Sequence, residues 1–146
     1  MIPVVDDFRS SPMTHRLGDL FNPPALTNFL GCVQADVDPV AIRALSFPPF
    51  ATGDAVSASI YIDDKIFPAT GSAVTFVWQP DRIEREAEDN GLRFVSVTTL
   101  VMGKMAAIVR VTIENRSAEA RDVSLRFGMR GGITKQVAVW GNAHMP

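Results

Sequence analysis

Ile83-Glu84-Arg85-Glu86-Ala87-Glu88-Asp89-Asn90-Gly91-Leu92-Arg93-Phe94-Val95-Ser96-Val97 is the stretch on which the fold turns. Taken alone, its Glu and Arg residues favour helix over Ile83–Glu88. Asn90-Gly91 decides otherwise: both residues tolerate positive φ, and between two extended runs the dipeptide closes a tight hairpin. Ile83, Arg85 and Ala87 then share one face of a strand, with Glu84, Glu86 and Glu88 on the other. Leu92–Val101, rich in Val, Thr and Phe, is the returning strand.

Working outward, the same period of two recurs. Upstream, Val74, Phe76 and Trp78 alternate with Thr75, Val77 and Gln79, and Pro80 ends the run. Before that, Val56, Ala58, Ile60 and Ile62 alternate with Ser57, Ser59 and Tyr61, and Asp63-Asp64 makes a turn because Asp bonds its own backbone there. Downstream, Gly103-Lys104 turns the chain into a strand with Ala107, Val109, Val111 and Ile113 opposite Ile108, Arg110, Thr112 and Glu114. Asn115–Glu119 is a polar loop. Val123, Leu125, Phe127 and Met129 form the next apolar row, and Gly131-Gly132 turns into Ile133–Trp140. About seven strands joined by short loops predict an all-β, antiparallel β-sandwich over residues 55–146. Residues 1–54 read as an irregular segment packed on that core, because Asn22-Pro23-Pro24 and Phe47-Pro48-Pro49-Phe50 interrupt regular structure. Short extended pieces are expected there at Gly31–Val37 and Ala41–Phe47. The whole is one domain, and the ending just past a strand suggests a piece of a longer protein.

The bulk properties agree. The 146 residues are 47% hydrophobic and 21% charged, a globular balance. A single cysteine, Cys32, excludes an intrachain disulfide, so the fold rests on packing. Net charge is −2, made of −4 over residues 1–80 and +2 over 81–146, which is too little for a nucleic-acid surface. No apolar run reaches the ~20 residues of a membrane span, and Met1–Asp7 lacks the basic and apolar regions of a signal peptide. A soluble protein is expected, with a cytoplasmic location slightly favoured.

No residue set assigns a reaction. His15 and His144 lie near the two ends with no orienting neighbour in sequence. Cys32 reads as a core residue. Asp36 and Asp38 share a face of an extended piece, but two carboxylates without further oxygen ligands are thin grounds for a metal. Glu84, Glu86 and Glu88 have a spacing that glycosidase carboxyls could use, yet a charged, solvated edge strand is the simpler reading. Arg110, Arg126 and Arg130 are expected to share an outer face with Glu114, paired across strands. Tyr61 and Trp140 sit on the less apolar faces of their strands and are, with these three arginines, the candidates for a carbohydrate or partner surface. Asn115-Arg116-Ser117 fits both an N-glycosylation site and a loop. No catalytic residue, metal ligand or cofactor is called for.

One resemblance goes further. Phe76–Arg85, Asp89–Arg93, Val97–Val101, Ala107–Asn115, Arg121–Phe127 and Arg130–Ile133 follow an order that resembles the N-terminal β-sandwich, of the supersandwich type, of glycoside hydrolases with an (α/α)6 catalytic barrel. The likeness rests on Val109-Arg110-Val111-Thr112, the turn at Asn115 and the strand around Leu125-Arg126-Phe127. Asp122 and Ser124 depart from it. It implies a non-catalytic accessory domain supporting a helical barrel that carries the catalytic acids, so no catalytic residue transfers to this chain. The partner expected is such a C-terminal catalytic domain or a second copy, with a carbohydrate as the candidate ligand. The alternative is a self-standing polysaccharide- or protein-binding module.

Overall fold

The computed structural model describes residues 2–16, 19, 22–36, 38–48, 51–53 and 57–135, with backbone alone at 51–53, 57–58 and 133–135. Among these lie thirteen strands: β1 (Met13–Arg16), β2 (Ala25–Asn28), β3 (Gly31–Ala35), β4 (Ile42–Phe47), β5 (Ala51–Gly53), β6 (Ser57–Ile62), β7 (Lys65–Phe67), β8 (Ala73–Trp78), β9 (Arg82–Asp89), β10 (Leu92–Leu100), β11 (Ala107–Asn115), β12 (Leu125–Arg130) and β13 (Ile133–Lys135). One 3-10 turn at Val5–Phe8 precedes them, and no α-helix occurs among the described residues. Every pairing is antiparallel.

The front layer is a five-stranded sheet in the order β1-β8-β9-β10-β11. Its last four strands are the meander expected from the sequence. Asn90 and Gly91, both at positive φ, form the two-residue turn between β9 and β10, where Asp89 faces Leu92. The second layer holds two smaller sheets, β13-β5-β4-β3-β2 and β12-β6-β7. They lie end to end, because β5 leads into β6 along one chain while β12 leads into β13 along its partner. Two apolar clusters join the layers. Leu26, Val33, Ala35 and Ile42 of the second layer meet Phe76 and Ile83. Ile60, Ile62 and Phe67 meet Leu92 and Phe94. Burying each such side chain stabilises the fold by about 1.5–3 kcal/mol.

Three expectations need correction. Residues 1–54 are not irregular: they supply edge strand β1 and most of one second-layer sheet. The prolines fall between strands, with Pro23 and Pro24 just before β2, Pro39 between β3 and β4, and Pro48 after β4, so they bound the strands without interrupting them. Gly131-Gly132 does not reverse the chain. Arg130 pairs with Ser57 on one side of it and Ile133 with Gly53 on the other, so the chain runs on from one ladder to the next. Strand β9, expected at an edge, is central, with β8 on one side and β10 on the other. Two of its glutamates are paired with arginines: Arg93 of β10 grips Glu86 across the strands with two bonds of 2.7 Å and reaches on to Glu114 of β11 at 3.2 Å, and Arg82 bonds Glu84 along β9 itself at 3.0 Å. The bond from Arg93 holds the Glu86 carboxyl below the usual carboxylate range.

Asn28 ties the layers at one end. Its Oδ1 accepts the N–H groups of Leu30 and Gly31, forming the β2–β3 turn, while its Nδ2 donates to the carbonyls of Val101 and Lys104 in the β10–β11 turn. Gly31 lies at the closest approach: a Cβ there would sit 2.0 Å from the Ser46 carbonyl oxygen and 2.6 Å from Phe47 Cδ1. Backbone oxygen cannot move aside as a flexible side chain can. Gly31→Ala should therefore destabilise the protein by about 3 kcal/mol in urea unfolding. Gly132→Ala, with nothing within 4 Å, should leave the midpoint unchanged.

Candidate functional site

The inner face of the front sheet is not wholly apolar. Register places Met13, Phe76, Arg85, Ser96 and Val111 in one row across it, beside a row containing His15 and another containing Thr98. Arg85 is 0% exposed. Its Nη1 donates to the carbonyls of Asp36 (3.1 Å), Asp38 (2.6 Å) and Ala41 (2.8 Å), and its Nη2 to Thr98 Oγ1 at 2.7 Å. The Ser96 hydroxyl donates to the carbonyl of Pro39. The β3–β4 loop thus folds over the guanidinium and is held from beneath by β9 and β10. Burial lowers the Arg85 pKa to about 9, with Asp36 and Asp38 pulling it back up, so the group stays charged at neutral pH. Asp36 also pairs with Arg43 at 3.1 Å. Burial, then the nearby charge of Asp36, pushes the Asp38 carboxyl up, while Arg85 and His15 act against the shift. Asp36 is thus paired with a cation of the protein's own, Arg43, and Arg85 bonds the backbone carbonyls of both aspartates. Among the described residues no group of three or more His, Cys, Asp or Glu side chains is arranged to hold a metal.

On the opposite side the sandwich is open among the described residues. Strands β11 and β12 are edges of their sheets on the same flank, joined by the 116–124 loop. Loop and turn are fastened together: Arg121 donates to the Asn90 carbonyl and to Asp63 Oδ2, and Ser124 and Asp63 exchange backbone and side-chain bonds. Those bonds, led by the Ser124 N–H, hold the Asp63 carboxyl below its ordinary value. Strand β12 places Phe127 opposite Ile60 and Leu125 opposite Ile62, so both point to the core side. Yet Leu125 is 44% exposed, Phe127 55% and Met129 79%. Facing this flank, Val109, Val111 and Ile113 of β11 are only half-buried.

The expected surface residues divide. Tyr61, Arg126 and Arg130 share the outer face of the β12-β6-β7 sheet, with the Arg126 guanidinium 3.9 Å over the Tyr61 ring. Gly128 lies between the two arginines along β12, with Tyr61 Cε2 3.5 Å from where its Cβ would be. A shallow depression lined by Ser59, Tyr61, Gly128, Met129 and Arg130 opens beside them. Arg110 does not join this group. It projects from the outer face of the front sheet, the face that also carries Glu114, because β11 and β12 belong to different layers. Trp140 and His144 lie outside the described residues. His15 is buried on the inner face, and Cys32 is half-buried where full burial was expected. Asn115 is engaged in its own turn, its Oδ1 accepting from the N–H and hydroxyl of Ser117 and its Nδ2 donating to the Glu119 carbonyl. The residue that sequence reading passed over is Arg85. Its signal was a lone arginine in the apolar register of Ile83 and Ala87.

No protein-family model, curated protein or solved structure matches this chain. No helix among the described residues is long and apolar enough to cross a membrane.

Arg85→Lys keeps the charge but cannot reproduce the fork of bonds, and should lower stability by about 3–5 kcal/mol. Thr98→Val, which removes a single acceptor, should lower it by about 1–3 kcal/mol. Both are read as shifts in urea midpoint. Asp38 titrates in the opposite sense to a salt-bridged carboxylate. With its folded pKa raised, the stability linked to its proton is full below the unfolded value of 3.8 and is lost as pH rises through the folded value. Asp38→Asn should therefore gain on the wild type as the pH of the unfolding measurement is raised from about 3 to about 7.

Proposed function

We propose that this chain is a non-catalytic β-sandwich module that acts by docking another polypeptide surface on its open β11–β12 flank. The observation that carries the reading is the row Leu125, Phe127 and Met129, in core register yet exposed. Exposed apolar rows of this kind on a folded domain mark interaction surfaces. An accessory domain beside a helical glycoside hydrolase barrel is the class of assembly suggested by the sequence resemblance. Such a domain needs an apolar face of its own to meet the barrel.

Carbohydrate binding at Tyr61 has less support. A sugar ring stacks on an open aromatic face, and Arg126 already lies over this one.

The test uses the protein itself. Phe127→Ser and Met129→Ser, singly and together, should leave the unfolding free energy within about 0.5 kcal/mol of wild type. Ile60→Ser, on the neighbouring strand, should cost several kcal/mol, roughly 3 or more. The same double variant should bind less of an apolar dye such as ANS. A loss at Phe127 as large as that at Ile60 would place the row in a closed core and end the docking reading.

A further inference from the structure

Resting on that docking reading, we infer that the flank accepts one extended strand, added to the free edge of β12, that alternates apolar residues with carboxylates. Three features lead to this. Among the described residues strand β12 has a ladder partner on one side only, β6, which leaves the backbone groups along its other edge without a strand partner there over Leu125–Arg130. Its apolar residues recur at every second position, a repeat of roughly 7 Å, which matches the side chains of a neighbouring strand; a helix would present its residues at turns of about 5.4 Å. The third feature is charge. The alternate positions of β12 carry Arg126, Gly128 and Arg130. Among the described residues Arg130 makes no ion pair, and the one carboxylate paired with Arg126, which also lies over the Tyr61 ring, is the highly exposed Asp64, at 3.8 Å. An incoming strand with carboxylates at its outward positions would supply the missing partners. Gly128 leaves space between the two arginines of β12 for the side chain opposite it.

The edge invites specific chemistry. Apolar side chains of the added strand would cover Leu125, Phe127 and Met129, completing the row that Ile60 and Ile62 begin. Cross-strand Arg–carboxylate pairs would set register and exclude basic strands, since like charges placed opposite one another repel.

The probe is a labelled, end-capped nonapeptide alternating Val with Glu, titrated into the whole chain and followed by fluorescence anisotropy. Saturable binding is expected, weakened about tenfold or more by Arg126→Glu with Arg130→Glu, substitutions on exposed side chains that should leave the urea midpoint unchanged. A Val/Lys peptide should not bind, and N-methylation of alternate amides on one edge of the Val/Glu peptide should abolish binding. Three results would overturn the inference: no binding of the Val/Glu peptide, equal binding of its N-methylated form, or a concentration-dependent dimer in sedimentation that Phe127→Glu abolishes, which would make a second copy the occupant. None of these repeats the Phe127 and Ile60 stability comparison, so the strand mode can fail while the docking reading stands.

Discussion

A charged guanidinium enclosed by protein needs acceptors there, and Arg85 finds them at both ends of its fork, three backbone carbonyls for Nη1 and Thr98 Oγ1 for Nη2, while its Nε is buried with no acceptor among the described residues. Those carbonyls belong to one short loop, residues 36–41, in the other layer. The loop is closed on itself as well, by bonds from the Asp36 N–H to Ala41 and from the Ala41 N–H to Asp38. A loop of this shape would otherwise aim its carbonyls at an apolar sheet. With Arg85 beneath it, and Ser96 and Thr98 beside it on β10, the loop can be buried and the turn from β3 into β4 has a fixed position over the front sheet. The apolar clusters on either side of this contact then have a common spacing between layers.

From that contact outward, burial declines in one direction. Phe76, Ile83 and Phe94 on the middle strands are fully enclosed. One strand further, Val109, Val111 and Ile113 are half-covered, and across the flank the inward side of β12 is exposed. Among the described residues the second layer does not extend far enough to roof β11, because β12 pairs there with β6 alone. The opposite edge is treated differently. There β8 is lined by β1 and by Ser10, whose N–H donates to the Trp78 carbonyl and whose Oγ accepts from the Trp78 N–H. Among the described residues the chain's own N-terminal segment thus supplies the β1 edge strand of the front sheet, and β11 is the edge strand on the other side.

Much of the front sheet was legible in the sequence, since β8 to β11 are long, alternate strictly and are joined by turns with strong local chemistry at Asn90-Gly91 and Gly103. The first 54 residues were harder to read. Their strands have three to six residues, too short for a period to declare itself, and prolines at strand boundaries look the same in sequence as prolines that break strands. Gly131-Gly132 misled for a related reason: paired glycines permit a reversal but do not require one, and the pairing of β12 and β13 with consecutive strands of one chain is a long-range fact. The grouping of Arg110 with Arg126 and Arg130 failed at the level of layers. Alternation tells which residues share a face of a strand and is silent on which sheet the strand joins. Arg85 was placed on the right face, but its burial depends on carbonyls more than forty positions away in sequence.

The openness of the β12 edge bears on function because the fold does not require it to be apolar. Both core clusters are complete without Leu125, Phe127 or Met129. A strand whose inward residues are mostly in water gains little stability from Phe or Met, and a polar residue there would lower the risk of unwanted pairing. The same strand carries arginines on its other face, a common guard against edge-to-edge association, but these arginines would also select an acidic strand over a basic one. Apolar residues toward the core and cations away from it restrict the set of strands that could join this edge, and do so without any catalytic group. Under the docking proposal, that selectivity is the chemistry this edge would offer.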